Sequence, residues 1–406
     1  MLYLILVPAL LLAAYFAASA LYFFLFSVAS HFYREGSVPD HQAHEKVKLA
    51  VLYPAYKEDA VILDSAASAQ KHLSRLAHMD VHVIADSLQP STIEKLKQLG
   101  VQVVEVSFEK STKVKSLQRA VASLSPNTDM VVVMDADNLM QEGFIDRLVE
   151  RMQQGFRIVQ GHRTFKNLNT HMAVLDSISE EVNNSLFRLG HRTLGLSASL
   201  IGSGFACEYR LFRELIDSAG AVGGFDKELE VMLLERRIPI GYGKQAVVLD
   251  EKVQRSDVFV NQRRRWLAAQ FVYLAKNLGK AFRKLLREGN IDLFDKVMQF
   301  LLPPRIIALG LTALLFALHT IFFLAGYAGW NAFLAALWGG IFLLNSLAVA
   351  MAIPRKMYNQ SMIRALASLP AGFLLTIKAL LRTKGANKRF IHTRHGVDEG
   401  EKKNRN

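Results

Sequence analysis

The chain has 406 residues, 51% of them hydrophobic, and a formal net charge of +13. That length holds one α/β domain of ordinary size plus several membrane helices, and the apolar share exceeds what a soluble domain needs. The single cysteine, Cys207, excludes an internal disulfide framework and a cysteine-based zinc site, while Lys and Arg gather beside apolar stretches, as in Arg263-Arg264-Arg265 and from Lys378 to Arg389. Such placement reads as membrane topology and contact with anionic membrane lipids, with no nucleic acid as partner.

Residues 2 to 30 carry no charge and are long enough to cross a hydrocarbon core of ~30 Å at about 1.5 Å per residue, which predicts a transmembrane helix within residues 1–33. No basic region precedes it and the apolar run exceeds the ~7–15 residues of a signal peptide, so it reads as an uncleaved anchor. Arg34, Lys46 and Lys48 place the following segment on the cytoplasmic side of the plasma (inner) membrane.

Between Val47 and about Tyr273, β-prone runs alternate with helical periodicity. Strands are predicted at Val47–Tyr53, Val81–Ala85, Val101–Val106 and Met130–Met134, with helices over 60–77, 91–99 and 114–124. This βαβα order implies a mainly parallel α/β sheet with helices on both faces. Weaker strand patterns lie at Arg157–Gln160 and Ala246–Leu249, and Leu168–Arg192 reads as helical. Asp135 and Asp137 follow the fourth strand at once, at the mouth where open α/β sheets place ligands. Paired carboxylates suit Mg²⁺ or Mn²⁺, ions that share their coordination with a substrate's phosphates. A membrane-anchored enzyme using a nucleotide-activated substrate follows as the first expectation.

Beyond the 47–273 domain, basic residues alternate with apolar ones up to Phe300, and 274–304 is read as an interfacial amphipathic segment. Ile306–Ala328 and Ala332–Ile353 form a spanning hairpin within 305–354. Met362–Leu381, with Arg364, Lys378, Pro370 and Gly372, is taken as interfacial or re-entrant within 361–396, because a span there would put the basic tail outside. Residues 397–406 are polar and expected to be disordered.

In this order, Tyr53-Pro-Ala-Tyr-Lys-Glu58, Asp86, Lys113 with Leu117-Gln118, Asp135-Ala-Asp137, Asp226 and Gln262-Arg-Arg-Arg-Trp266 resemble the inverting family 2 glycosyltransferases of GT-A fold. The branch resembled is that of the membrane-integrated polysaccharide synthases, which make hyaluronan, cellulose and chitin oligosaccharides. The resemblance implies that Pro54, Tyr56, Glu58 and Asp86 hold the uracil and ribose of a UDP-sugar and that Lys113 faces its diphosphate. It implies that Asp137 grips the metal, with Asp135 nearer the ribose and sugar, and that Gln262, Arg265 and Trp266 lie where acceptor meets donor. Taken singly, a capping Asp, a solvated Lys or an interfacial Trp explains each of these as well.

The family's base motif survives here as Gly224-Phe-Asp226-Lys-Glu228, with Phe225 where the family carries an acid. Asp226 is taken as the catalytic base and Glu228 stays open as the alternative. Val159–Asn167 resembles a segment lining the acceptor side, Gly202–Cys207 the loop beneath the acceptor, and Phe390–His395 the loop that closes over nucleotide. The implied reaction moves sugar from a UDP-sugar to a growing polysaccharide, or singly to a polyprenyl phosphate or other lipid-linked acceptor. Three spans make a thin wall for a channel, so a homo-oligomer, a secretion partner or a short product all stay open. A nucleotidyltransferase would carry a Gly-rich phosphate loop, which Tyr53–Asp59 lacks. The altered base motif keeps an inactive membrane scaffold as the remaining alternative.

Overall fold

An uncharged helix, α1 (Leu2–Ser30), opens the computed structural model, which describes residues 2–36, 45–221 and 223–383. Strands β1 (Val47–Tyr56), β2 (Ala77–Asp86), β3 (Gln102–Val106) and β4 (Met130–Val133) alternate with α2 (Ile62–Gln70), α3 (Pro90–Gln98) and α4 (Lys113–Ser123). Then come β5 (Leu139–Met140), α5 (Phe144–Gln153), β6 (Ile158–Phe165) and α6 (His171–Asn184). A π-helical stretch at Ser185–Gly190 carries α6 into α7 (His191–Thr193). The domain closes with β7 (Phe205–Glu208), α8 (Tyr209–Ser218), α9 (Phe225–Glu235) and β8 (Gly241–Asp250).

These strands form one sheet of order β3-β2-β1-β4-β7-β6-β8-β5. Its first half is parallel, β1 pairing with β2 from Val47↔Ala77 to Tyr56↔Asp86, and with β4 from Leu49↔Met130 to Leu52↔Val133. Beyond β4 the sheet is mixed, because β7 runs antiparallel to both β4 and β6 while β6 and β8 are parallel. The Gly202-Ser-Gly-Phe-Ala-Cys207 segment, expected as a loop, thus ends in a strand. Gly202 and Gly204 at positive φ of 84° and 63° bend the chain into it.

Both faces are buried, and the pleat sorts the side chains between them. Ala50, Leu52, Val131, Val133, Phe205 and Cys207 face a core with α4, α8 and α9. Leu49, Val51, Tyr53, Val132 and Ala206 face the opposite core with α2, α3 and α5.

After the sheet, α10 (Ser256–Glu288) runs unbroken for 33 residues and stops at Gly289, φ 62°, in the left-handed conformation typical of helix ends. It is followed by α11 (Ile291–Gln299), α12 (Arg305–Leu324) and α13 (Gly329–Ala352), then a 3-10 turn, α14 (Gln360–Leu366) and α15 (Leu369–Leu381). Among the described residues, three helices are long and apolar enough to cross a membrane: Val7–Ser30 of α1, α12 and α13. The Met362–Leu381 stretch is interrupted at 367–368, with α14 and α15 bent by 53°. Pro370 sits in the first turn of α15, where its missing N–H is no loss, and Gly372 admits the Ile306 side chain of α12.

The sheet domain is fastened to α1 at the π-helical stretch. Phe26 stacks on His191 with ring centroids 3.8 Å apart, and His191 also meets the Tyr22 hydroxyl at 2.9 Å and Asp295 at 3.1 Å. Gly190 permits that approach, since a Cβ there would collide with the Phe26 carbonyl. Gly190→Ala is therefore expected to cost about 1–3 kcal/mol through overpacking, read as a fall in the thermal unfolding temperature in detergent. Unchanged stability would show that α1 is not seated there.

Candidate active site

In the strand order β3-β2-β1-β4 the chain winds outward from β1 and then returns to place β4 on its other side. Such a switch point leaves a crevice beyond the carboxyl ends of β1 and β4. A cleft of about 300 Å³ occupies that place. Pro54, Tyr56 and Glu58 reach it from the end of β1, Asp86 from β2, and Asp135 and Asp137 from the turn after β4. Lys113 enters from the start of α4, Asp226 from α9, and Gln262, Arg265 and Trp266 from α10. Glu228 alone of the sequence-derived candidates lies outside the lining: its carboxylate accepts the Gly220 and Ala221 N–H groups at 3.1 and 2.9 Å, bracing the loop into α9.

The acidic turn is set by Asn138, which the sequence reading passed over. Its Oδ1 accepts the Asp135 N–H at 3.1 Å and its own N–H donates to the Asp135 carbonyl at 3.0 Å, the side-chain-to-backbone closure Asn provides in turns. Asn138 Nδ2 donates to Asp250 Oδ1 at 3.1 Å, tying the turn to the end of β8. The Asp137 carboxylate accepts the Glu251 N–H at 2.8 Å. Lys113 Nζ bridges Asp135 Oδ1 at 2.5 Å and the Gly202 carbonyl at 2.7 Å. Burial would raise the Asp135 pKa, but the Lys113 ammonium and then Arg163 outweigh it and hold the carboxyl below its ordinary range.

Asp226 stands across the cleft in the first turn of α9, 3.3 Å from Lys227 Nζ. A Cβ on Gly202 would lie 3.8 Å from the Cβ of Asp226, so Gly202 links Asp226 to the Lys113–Asp135 pair. Gly224 before it has φ 76° and no room for a side chain, a Cβ there meeting Ala269 at 2.9 Å and the Tyr273 ring at 3.0 Å. Glycine is thus what lets α9 start against α10, with Asp226 opposite Trp266. Phe225, where the resemblance calls for an acid, is buried and offers its ring to Lys113 Nζ at 5.9 Å.

Behind the cleft lies a buried charge network of which sequence reasoning had singled out only the 159–167 segment that carries Arg163. Arg163 pairs with Glu180 at 3.0 Å and stands 3.8 Å from Asp135 and 3.7 Å from Asp250. Lys252 pairs with Asp250 at 2.8 Å, and Arg188 reaches Glu180 at 3.4 Å. The network's members outside that segment carried no signal of their own, because Glu180, Arg188, Asp250 and Lys252 are brought together with Arg163 only by the fold. Burial pushes the Glu180 pKa up, and Arg163, Lys252 and Arg188 together pull it well below the usual carboxylate range.

Buried polar atoms without a partner also collect here: among the described residues Asp86 Oδ2, Arg163 Nε and Gln262 Oε1 have none, and all three residues line the cleft. Such atoms are costly unless a ligand satisfies them. Lys57 and Ser87, which follow Tyr56 and Asp86, hold positive φ of 56° and 58°, backbone strain of the kind that clusters at binding sites. Burial lowers the Arg265 pKa against the pull of Asp135. Trp266 is 36% exposed, its ring open to the cavity. The proposed closing loop Phe390–His395 and the 397–406 tail lie outside the described residues.

A second cavity, about 440 Å³, shares Arg163, Glu180, Asp226, Lys227 and Trp266 with the first. It extends to Ile306 and Leu309 of α12, Val349 of α13 and Leu369 of α15.

Residues 46–269 match the sequence family described as Glycosyltransferase like family 2. A comparison with curated protein sequences finds no match. Among solved structures, a mannosyltransferase from Pyrobaculum calidifontis in complex with GDP-Man and Mn²⁺ aligns over 93% of this chain and 98% of its own, with TM-score 0.53 and 14% identity. Glucosyl-3-phosphoglycerate synthase from Mycobacterium tuberculosis, in complex with Mn²⁺, UDP and glucosyl-3-phosphoglycerate, aligns over 56% of this chain and 80% of its own, with TM-score 0.40 and 20% identity. The mannosyltransferase likeness is one of fold and reaches beyond the sheet into the flanking helices.

Glu180→Gln would leave Arg163 buried beside fewer negative charges, an imbalance expected to cost about 3–5 kcal/mol of stability. Because the folded Glu180 pKa is depressed, its contribution is complete above the unfolded value of about 4.3 and is lost as pH falls through the lower folded value. Thermal unfolding should show the wild-type advantage over the variant holding from neutral pH to about 5 and shrinking below about 4. An advantage absent at neutral pH would remove Glu180 from this role.

Proposed function

The chain belongs to the glycosyltransferase-like family 2, and from that premise we propose that it transfers a sugar from a UDP-sugar, with inversion, to an acceptor presented at a membrane face. The observation that carries this reading is the convergence of Asp135, Asp137 and Asp226 with Trp266 on one cleft at the β1/β4 switch point. Asp86 Oδ2, a buried acceptor with no partner, suits the N–H of a uracil, and the Tyr56 ring beside it suits the base or ribose. Lys113 and Arg265 face the diphosphate.

Among the described residues no three His, Cys, Asp or Glu side chains close around one point. A pair of carboxylates without a third protein ligand fits a hard divalent cation that takes its remaining ligands from phosphate oxygens and water. Asp137, with Asp135, would hold Mg²⁺ or Mn²⁺, which when bound offsets the charge developing on UDP. Asp226 takes the proton of the acceptor hydroxyl as that oxygen bonds to the sugar C1 from the face opposite UDP, and the C1–O bond to UDP breaks. Trp266 offers its indole to the apolar face of the acceptor sugar.

Nucleotide sugars are cytoplasmic, so this reading puts the sheet domain on the cytoplasmic side, with α1, α12 and α13 as the membrane anchor. The Gln262–Trp266 helix supports a growing polysaccharide as acceptor, and a long product would need a second copy or a secretion partner to complete a channel. The apolar end of the second cavity favours the other acceptor class, a lipid-linked one.

Asp226→Asn is expected to lower turnover by about 10²–10⁴ while UDP-sugar binding stays within about twofold. Asp137→Asn, or removal of divalent ions with EDTA, is expected to abolish Mn²⁺-dependent donor binding itself. UDP release from a panel of UDP-sugars and direct binding of the donor separate the two effects. Undiminished turnover by Asp226→Asn would strip Asp226 of its role as base.

A further inference from the structure

The second cavity has an unusual charge arrangement at the end nearest the active site. Arg305, directly after Pro303-Pro304, turns its guanidinium inward, where Nη2 donates to the Ser179 carbonyl at 3.1 Å and Oγ at 3.4 Å, 6.0 Å from the Phe187 ring. No carboxylate pairs with it among the described residues. Arg263 donates to the same Ser179 Oγ at 3.4 Å, is paired with Asp176 at 2.9 Å, and lies 4.7 Å over the Trp266 ring. Two guanidiniums therefore converge on one hydroxyl, and of the two only Arg263 has a carboxylate partner among the described residues. Across the whole cavity wall, six Lys and Arg side chains face three acids.

Packing alone does not account for this. Like charges brought together away from water are repulsive, and an Arg serving only to anchor a helix at a membrane surface would extend outward to the head groups rather than back toward Ser179. Paired guanidiniums with spare N–H donors are what a phosphate recognises. Beyond them the wall is hydrocarbon, from Ile306, Leu309, Val349 and Leu369 on helices that include two of the three membrane-length ones. A ligand that satisfies both ends has an anionic head and a long apolar tail.

We infer that this cavity binds the phosphate or diphosphate of a long-chain lipid, with Arg263 and Arg305 on its oxygens and the hydrocarbon along α12, α13 and α15, and that the acceptor sugar is carried on this lipid. The inference rests on the reading of Asp226 and Trp266 as the acceptor end of the active site. Since Arg263 stacks on Trp266, a phosphate on Arg263 would lie beside the acceptor sugar that Trp266 holds. Its hydroxyl gives its proton to Asp226 and forms the new bond to the donor C1, UDP departing.

The test uses the full chain in lipid nanodiscs and compares polyprenyl phosphate, polyprenyl diphosphate, polyprenol of equal length, and inorganic phosphate and diphosphate as ligands. The phosphorylated lipids are expected to bind at least about tenfold more tightly than polyprenol and than either inorganic anion. Arg305→Gln and Arg263→Gln should each erase that preference, and Arg305→Lys should keep part of it. Equal binding of polyprenol and its phosphates by the wild type would overturn the inference without recourse to any variant. Inorganic anions binding as tightly as the lipids would overturn the lipid source. UDP and Mn²⁺ binding is measured on the same samples: its failure in the wild type sinks the donor-site reading, whereas its survival beside a lost lipid preference sinks only the lipid site.

Discussion

Two carboxylates one residue apart repel each other, and the architecture around Asp135 and Asp137 is arranged to hold them together. The backbone N–H of Glu251 and the side chain of Asn138 fix the turn, and Lys113 supplies the nearest positive charge. Arg163 adds a second cation from beneath, itself held by Glu180 and Asp250. That charge balance explains why α4 begins where it does, with Lys113 at its first position and the Thr112 hydroxyl capping it by accepting the Lys115 N–H at 3.2 Å. It also explains why β6 carries an arginine through the sheet. On the proposed reading, substrate phosphates and a divalent cation would enter a site where Asp135 is already paired with Lys113, so little reorganisation would be asked of the protein.

Legibility followed locality. The first four strands were readable because each contains a short β-prone run, and Asp135 because the Val and Met run of β4 gives way abruptly to Asp. β1 nevertheless runs past its apolar run to Tyr56 and β2 begins before its own, at Ala77, since ladder pairing holds from Val47↔Ala77 to Tyr56↔Asp86. β7 was not readable: four residues after a Gly-Ser-Gly turn have no periodicity of their own, and their strand character comes from β4 and β6 on either side. The Arg163, Glu180 and Lys252 network was hidden for the same reason, as its members lie far apart in the chain and only the fold pairs them. Glu228 shows the converse. Two residues from Asp226, it looked interchangeable with it, yet helical geometry turns it toward the 220–221 backbone.

The helix α10 joins what the sequence divided near residue 273. Its first turns carry Gln262, Arg265 and Trp266 into the cleft, and its later turns carry the basic and apolar residues read as interfacial. A continuous helix is stiff, so the position of Trp266 relative to Asp226 is tied to whatever the far end rests on. Gly224 tightens this further by letting Ala269 and Tyr273 of α10 press against the start of α9.

The same coupling reaches the membrane-length helices. Val260 and Leu267 of α10 pack with Ala379 of α15, and α15 meets α12 where Phe373 lies over Gly310 and Ile306 over Gly372. On the other side α1 packs through Phe26 on Gly190 of the π-helical stretch and on His191 just after it, and α6, which precedes that stretch, carries Asp176, Ser179 and Glu180. The groups that hold Arg263 and Arg305 are thus set by the packing that seats the domain on its helices. On the proposed reading, a water-soluble donor on one side and an apolar wall on the other are brought together by this arrangement, in which the two cavities meet at Asp226 and Trp266.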